Sequence, residues 1–177
     1  MKSFTLKFLD IMIGLVLGLG FQWWPDLKEP WQFVAFIFVY FDVVDYWIDY
    51  APGLKKFPPK RELDIILDVS IMFSLFLYIY ATQFTIFYFL SAFILVRFLD
   101  LLWLIRSKYQ HNPSGIEAKY INTWLVFDTI ECIGIVALLF SMNLVFVSPL
   151  TAVSIFIIFR IVARFFASLQ YKRMYFT

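Results

Sequence analysis

The chain has 177 residues, of which 62% are hydrophobic and 22% aromatic, and its formal net charge is +2. Its mean hydropathy is +0.80, whereas a soluble domain is only about half apolar. This composition excludes an ordinary soluble protein. Cys132 is the only cysteine and His111 the only histidine, so an internal disulfide, a cysteine metal site and bis-histidine haem ligation within one chain are also excluded.

Apolar blocks of about 20 residues, the length that crosses a bilayer, predict a polytopic all-α membrane protein. Proline-containing breaks separate several blocks ("WPDLKEP", "YAPGLKKFPPKREL" and "HNPSG"), because proline ends helices for steric reasons. The short break "ATQ" is interpreted as a tight hairpin, since its neighbours together are too long for one span. The six predicted spans are about 4–24, 31–51, 62–81, 84–105, 121–142 and 146–168.

These spans predict a single transmembrane domain covering residues 1–177 and built of three helical hairpins. A threefold hairpin repeat would account for the acid near the start of each odd-numbered span. The segment 107–120 is a candidate interfacial segment.

The first span is expected to stay in the protein, because "FQWWPDLKEP" follows it instead of a small-residue cleavage site. Gly14, Gly18 and Gly20 give this span a small-xxx-small face, which suits close helix packing. A contact inside the protein and a seam between copies both explain that face.

The basic residues predict how the chain is oriented. Lys28 alone falls on one side of the predicted membrane, and eleven lysines and arginines fall on the other. Both termini are therefore predicted to be cytoplasmic, as an even number of spans also requires, in a multi-pass protein of the plasma membrane. The eleven are Lys2, Lys7, Lys55, Lys56, Lys60, Arg61, Arg106, Lys108, Lys119, Lys172 and Arg173.

Ionisable residues also occur inside the predicted spans. In "YFDVVDYWIDYAP" (40–52), Asp42, Asp45 and Asp49 follow i, i+3, i+7 spacing and share one helix stripe. An ionisable residue costs about 2.5–3.5 kcal/mol at the helix centre, so such stripes are expected to face inward around a charged vestibule open to the cytoplasm. The inner set comprises seven acids (Asp10, Asp42, Asp45, Asp68, Asp100, Asp128 and Glu131) and three arginines (Arg97, Arg160 and Arg164).

If every group in this set were ionised, four negative charges would remain uncompensated. Buried like charges favour protonation of some acids, and a bound monovalent or divalent cation would serve equally well. The charges either form an ion-pair network that holds the helices in register or mark a cation or proton pathway. The predicted pathway is Asp42, Asp45, Asp68, Asp128 and Glu131, with Arg97, Arg160, Arg164, Asp100 and Asp10 as charge partners.

The acid pairs in "DVVD" (42–45) and "DIILD" (64–68) resemble part of the motif of the CDP-alcohol phosphotransferase family. That motif reads D-x-x-D-G-x-x-A-R, then G-x-x-x-D-x-x-x-D, and the family has six spans. Its acids bind divalent metals and transfer a phospho-alcohol. The resemblance implies that Asp42, Asp45, Asp64 and Asp68 hold a metal in a lipid-headgroup enzyme.

This resemblance covers about 27 residues and departs from the motif at several positions. Tyr46 replaces the first glycine, Asp49 and Tyr50 replace Ala-Arg, and Lys60 stands where the second glycine would align. The gap between the acid pairs is also one residue too long, so the chain is not assigned to the family.

The stretches "FDVVDYWIDY" and "LDIILDVSIMF" are also similar to the second and third helices of voltage-sensor domains. Acids of those helices face a charged fourth helix, whereas the fourth span here carries only Arg97 and Arg106. This similarity implies a voltage-sensor-like module; a non-catalytic membrane subunit whose charges serve assembly alone is a related alternative.

Together, these patterns favour a cation or proton channel or transporter, with the metal-dependent enzyme and the non-catalytic module as alternatives. The small size predicts a homo-oligomer, since six short helices leave little room for a private pore. No nucleic-acid partner is predicted. Anionic lipid headgroups are expected at Lys55, Lys56, Lys60 and Arg61.

Overall fold

The computed structural model describes residues 2–144 and 147–170, with side chains at 7–142, 144 and 147–170. This part of the chain contains six long α-helices, all long and apolar enough to cross a membrane. The predicted all-helical class is therefore confirmed, with six helices of the length and composition that a multi-pass membrane protein needs. The helices are α1 (Lys2–Gly20), α2 (Pro30–Lys56), α3 (Glu62–Tyr80), α4 (Ile86–His111), α5 (Gly115–Leu144) and α6 (Pro149–Gln170), and short 3₁₀ helices follow α1 (Phe21–Asp26) and α3 (Ala81–Gln83).

Several helices run further than their predicted spans. α2 continues through Pro52 to Lys56, because an internal proline removes one backbone donor without ending every helix. Most of the segment 107–120, predicted to be interfacial, belongs to the ends of α4 and α5, since only residues 112–114 separate the two helices. Asn112 ends α4 with φ of 48°, a left-handed conformation that asparagine tolerates, and its N–H bonds to Lys108 O at 3.2 Å.

The helices pack in a closed ring. Around the bundle the order is α1, α3, α4, α5, α6 and α2, and α2 packs back against α1. At one end of the ring, Lys56 contacts Glu117 at 3.1 Å and Lys108 contacts Asn122 at 2.8 Å. At the other end, the amide of Gln32 donates to Phe84 O at 3.3 Å. We call the end at Lys56 and Glu117 the basic end, because Lys55, Lys56, Lys60 and Arg61 also lie there.

Glycines allow close approach at three points inside the bundle. A Cβ added at Gly20 would lie 2.9 Å from the hydroxyl of Tyr40, one at Gly53 would lie 2.9 Å from the Trp103 ring, and one at Gly134 would lie 2.6 Å from the Phe159 ring. Gly14 and Gly18 differ, because they are exposed on α1 and nothing described lies within 4 Å of such a Cβ. The predicted small-xxx-small face of Gly14, Gly18 and Gly20 is therefore not one packing surface: Gly20 packs inside the bundle, whereas Gly14 and Gly18 lie on its outside.

Candidate functional site

Charged side chains from α2, α4, α5 and α6 meet inside the ring. We call this group the central cluster. Its groups come from the middle of each helix and from the half nearer the basic end. Among the described residues it comprises three arginines (Arg97, Arg160 and Arg164) and six acids (Asp42, Asp45, Asp49, Asp100, Asp128 and Glu131).

Arg97 joins α4 to α5 at the most deeply buried part of the cluster. Its Nη1 lies 3.7 Å from both Asp100 Oδ2 and Asp128 Oδ1, and its Nε lies 2.9 Å from Glu131 Oε2. The guanidinium also lies over the Phe93 ring, 5.0 Å from its centroid. Because Arg97 is only 2% exposed, these carboxyl and ring contacts replace its hydration.

Asp100 and Asp128 lie within hydrogen-bonding reach of each other beside Arg97. Asp128 is fully buried, and with both acids ionised neither of its oxygens has a hydrogen-bond donor among the described residues. Two facing carboxylates cannot hydrogen-bond without a proton between them. The hydroxyl of Tyr46 donates to the outer side of the pair, at 3.0 Å from Asp100 Oδ1.

Arg160 links three helices through two acids. Its Nε donates to Asp42 Oδ1 on α2 at 2.9 Å, and its Nη1 donates to Glu131 Oε1 on α5 at 2.7 Å. Glu131 therefore bridges Arg97 and Arg160 with its two oxygens. Such ion pairs are strong in a buried setting, and loss of one partner leaves the other charge uncompensated.

Arg164, one turn further along α6, binds the other two acids of the predicted α2 stripe. It makes a two-bond contact with Asp45, one of them 3.0 Å from Nη2 to Oδ1, and its Nη2 also lies 2.6 Å from Asp49 Oδ2. The guanidinium lies over Trp124, 5.1 Å from the ring centroid. The three acids of the i, i+3, i+7 stripe thus all contact arginines of α6.

Side-chain exposure within the cluster increases from Asp128 and Glu131 towards Arg164 and Asp45. The side chains of Asp128 and Glu131 are fully buried, whereas those of Arg164 and Asp45 are 14% and 34% exposed. A cavity of about 20 Å³ lies beside Arg97, Asp100 and Arg164, which is room for very few waters. The cluster is therefore reached from the side of Asp45 and Arg164.

A layer of aromatic rings lies on the far side of the cluster from the basic end. Phe38, Phe93 and Phe156 each precede a cluster residue by one helical turn, before Asp42, Arg97 and Arg160 respectively. The Phe156 centroid lies 4.9 Å from that of Phe93 and 5.6 Å from that of Phe38. We call Phe38, Tyr78, Phe89, Phe93 and Phe156 the aromatic layer, since Tyr78 and Phe89 stack at 5.3 Å within it.

A second charged group lies beside the central cluster, towards the basic end. Arg106 Nη1 lies 3.7 Å from Asp68 Oδ1, and the hydroxyl of Tyr50 donates to the same oxygen at 2.9 Å. Asp64 has a different role, because its Oδ2 accepts the N–H groups of Lys60 and Arg61 at 2.8 Å. It stabilises the start of α3 as a capping residue does.

Several predicted site residues lie elsewhere. Asp10, predicted in the inner set, is exposed on the outer face of α1, because this helix packs on the bundle through neighbouring apolar residues such as Leu9 and Ile13. Asp68 belongs to the second charged group. Asp49 and Arg106 were not among the predicted site residues. The i+7 position of the acidic stripe on α2 is the sequence signal that could have indicated Asp49. No local pattern in the sequence indicates Arg106.

The four acids that resemble phosphotransferase ligands do not converge. Asp42 and Asp45 bind different arginines, Asp68 faces Tyr50 and Arg106, and Asp64 caps α3. Among the residues with described side chains, no group of three or more His, Cys, Asp or Glu is placed to hold a metal ion. Of the basic residues predicted at the cytoplasmic side, Lys172 and Arg173 lie outside the described residues.

Comparison with known proteins gives no information on this site, which is therefore interpreted from its own geometry. No protein-family model matches the chain, and no curated protein or solved structure matches it either.

Proposed function

We propose that the protein moves protons across the membrane, as a channel or a proton-coupled transporter, with the central cluster as the proton-binding site. One observation carries the proposal: six buried or partly buried acids share three arginines in this cluster, and two of the acids, Asp100 and Asp128, face each other. With all groups ionised, three negative charges would lack compensation. A membrane interior does not tolerate such an excess, and acids in this setting mark ion and proton pathways.

At the inner end of the cluster the geometry favours protons over metal ions. The cavity of about 20 Å³ beside Arg97 and Asp100 is too small for a hydrated metal ion. Calcium and magnesium sites need roughly six or more oxygen ligands around one point, and no group of that kind occurs among the described side chains. A proton needs no such cavity and fits between the facing carboxyls.

We further propose that the basic end of the bundle is cytoplasmic, in a plasma-membrane protein of three helical hairpins. The lysines and arginines concentrated at that end support this orientation by the positive-inside rule. In this orientation the partly exposed Asp45 and Arg164 face the cytoplasmic half, and the aromatic layer separates the cluster from the other side. Proton transfer across the membrane would then require this layer to open or hydrate.

The predicted homo-oligomer is retained as a proposal. Its support is the outer face of α1, where Asp10, Gly14 and Gly18 are all exposed at four-residue intervals. Small residues let a second helix approach closely in a bilayer.

The decisive experiment is proton flux into proteoliposomes under an imposed membrane potential, followed with an internal pH dye. Wild-type protein should acidify or alkalinise the lumen according to the sign of the potential. Asp42→Asn and Glu131→Gln should reduce that flux at least tenfold, whereas Glu117→Gln at the exposed ion pair should not. Absence of wild-type proton flux at every pH from about 5 to about 8, both under the potential alone and with an imposed gradient of a monovalent cation, would overturn the proposal.

A further inference from the structure

A lateral groove between α2 and α6 connects the central cluster to the outer surface of the bundle. It has a volume of about 500 Å³, and Phe38, Phe41, Ile161 and Phe165 form its apolar walls. Phe41, Ile161 and Phe165 are 73%, 56% and 57% exposed, so the groove opens sideways, where lipid surrounds a spanning bundle. Small-molecule sites have volumes of about 300–1,000 Å³.

Charged groups form the inner end of this groove. Asp42, Asp45, Arg160 and Arg164 all line it. The Asp42 side chain is only 8% exposed, and while its Oδ1 binds Arg160, its Oδ2 accepts no hydrogen bond from any described residue. The apolar walls of the groove therefore end at the buried carboxylate of Asp42, whose Oδ2 can accept a further contact.

The charges of the cluster decide which ligand fits. Both arginines already bind carboxylates: Arg160 binds Asp42 and Glu131, and Arg164 binds Asp45 and Asp49. An anionic ligand would have to displace one of these acids and would add to a negative surplus. A cation would instead reduce the surplus, and the phenylalanine faces of the groove also favour a cation.

We propose that this groove is the binding site for a hydrophobic organic cation, such as a lipophilic ammonium or phosphonium, that enters from the bilayer with its charge beside Asp42. This inference rests on the proposed proton site and names the substrate that would be exchanged for the protons. One proton leaves the acids of the cluster for each monovalent cation that binds, so the charge of the cluster stays constant. The protein would then exchange the cation for protons.

A second groove of similar size shows why the charges matter. It lies between α3 and α4, has a volume of about 510 Å³, and is lined by residues such as Leu77, Phe84 and Leu95. No charged residue with a described side chain lines it. It matches the first groove in size and apolar walls but offers nothing that would select a cation over an ordinary lipid chain.

Several charged or titratable groups face Asp42 and influence whether a proton or the organic cation binds there. They come from four helices: Arg160 and Arg164 of α6, Glu131 of α5, Arg97 of α4 and Tyr78 of α3. Lower pH protonates acids of this set and should weaken binding of the cation.

The test compares two probes of the same shape and opposite charge, tetraphenylphosphonium and tetraphenylborate, bound to the purified protein in nanodiscs. We expect tetraphenylphosphonium to bind in a saturable way, to release protons, and to lose affinity as pH falls. Asp42→Asn should weaken binding at least tenfold. Equal or tighter saturable binding of tetraphenylborate would overturn the inference.

A matched pair of variants on α6 tests the location of the binding site without changing any charged residue. Ile161→Trp narrows the groove, whereas Ile158→Trp adds the same bulk at a comparably exposed position outside it. Only Ile161→Trp should weaken tetraphenylphosphonium binding, and equal effects of both variants would contradict the proposed location. Proton flux without phosphonium binding would overturn this inference alone, and phosphonium binding without proton release or flux would overturn the proton site while leaving the groove.

Discussion

Glu131 on α5 and Arg160 on α6 form a buried ion pair, with Oε1 of Glu131 accepting a 2.7 Å hydrogen bond from Nη1 of Arg160. The other oxygen of Glu131 lies 2.9 Å from Arg97 on α4. One carboxylate therefore joins three helices at the most buried level of the cluster. Because it compensates two guanidinium groups, Glu131 supports both helix packing and the proposed proton site.

Glu131→Gln should lower the stability of the bundle markedly. Removal of one partner from a buried ion pair costs about 3–5 kcal/mol, and here two arginines lose the same partner. Thermal unfolding in detergent, followed by circular dichroism, would measure the effect. Glu117→Gln is the control, because its pair with Lys56 is 38% and 52% exposed and such pairs contribute about 0–1 kcal/mol. Equal stability losses in the two variants would contradict the importance of Glu131.

Asp128→Asn should separate stability from proton transfer. An asparagine amide can donate to Asp100 permanently, replacing the hydrogen bond that a shared proton would make. We therefore expect thermal stability at or above that of the wild type, together with proton flux reduced at least tenfold. Asp128→Leu provides the contrast, since it leaves Asp100 without that donor and should be less stable. Wild-type flux in Asp128→Asn would remove this pair from the pathway.

Phe156→Ala should open a leak through the aromatic layer. Phe156 is fully buried and contacts Phe38, Phe89 and Phe93, so its removal leaves space for water beside Arg160. The expected result is faster passive proton flux, with stability lower by about 3–5 kcal/mol. Phe165→Ala, at a 57% exposed position on the same helix, should change neither property much. A leak that is no larger in Phe156→Ala than in Phe165→Ala would show that the layer is not the barrier.

Asp64→Ala should destabilise the protein without changing metal binding. The Asp64 carboxylate accepts two backbone N–H groups and the amide of Gln110, and loss of a cap costs about 0.5–2 kcal/mol. Glu62→Ala, an exposed change in the same helical turn, should be nearly neutral. Calorimetric titration with Mg²⁺ and Mn²⁺ tests the enzyme alternative. Metal binding in the wild type that disappears in Asp64→Ala would favour that alternative.

Gly14→Leu combined with Gly18→Leu should weaken self-association without weakening the fold. Nothing described lies within 4 Å of a Cβ at either position, so a leucine meets no neighbour inside one chain. A seam between copies would be pushed apart by the added bulk. Light scattering in detergent and cross-linking in membranes would report the oligomeric state. An unchanged oligomer would place the seam elsewhere.

The sequence by itself determined the all-helical class of the protein, its six helices long and apolar enough to cross a membrane, and the inward direction of the α2 stripe. These features depend on local pattern: an apolar block must be about as long as the bilayer is thick, and several acids on one stripe cannot face lipid. Asp42, Asp45 and Asp49 could therefore be placed on the inner face of α2 from their spacing alone.

The tertiary structure decided which charges meet. Arg160 binds Asp42, 118 positions away in the chain, and Arg106 joins Asp68 rather than the central cluster. It also placed Asp10 on the outside and formed the lateral groove beside Asp42. These outcomes depend on the order of the helices around the ring and on the rotation of each helix about its axis. Neither is encoded in a local repeat, because both follow from side-chain packing between segments far apart in sequence.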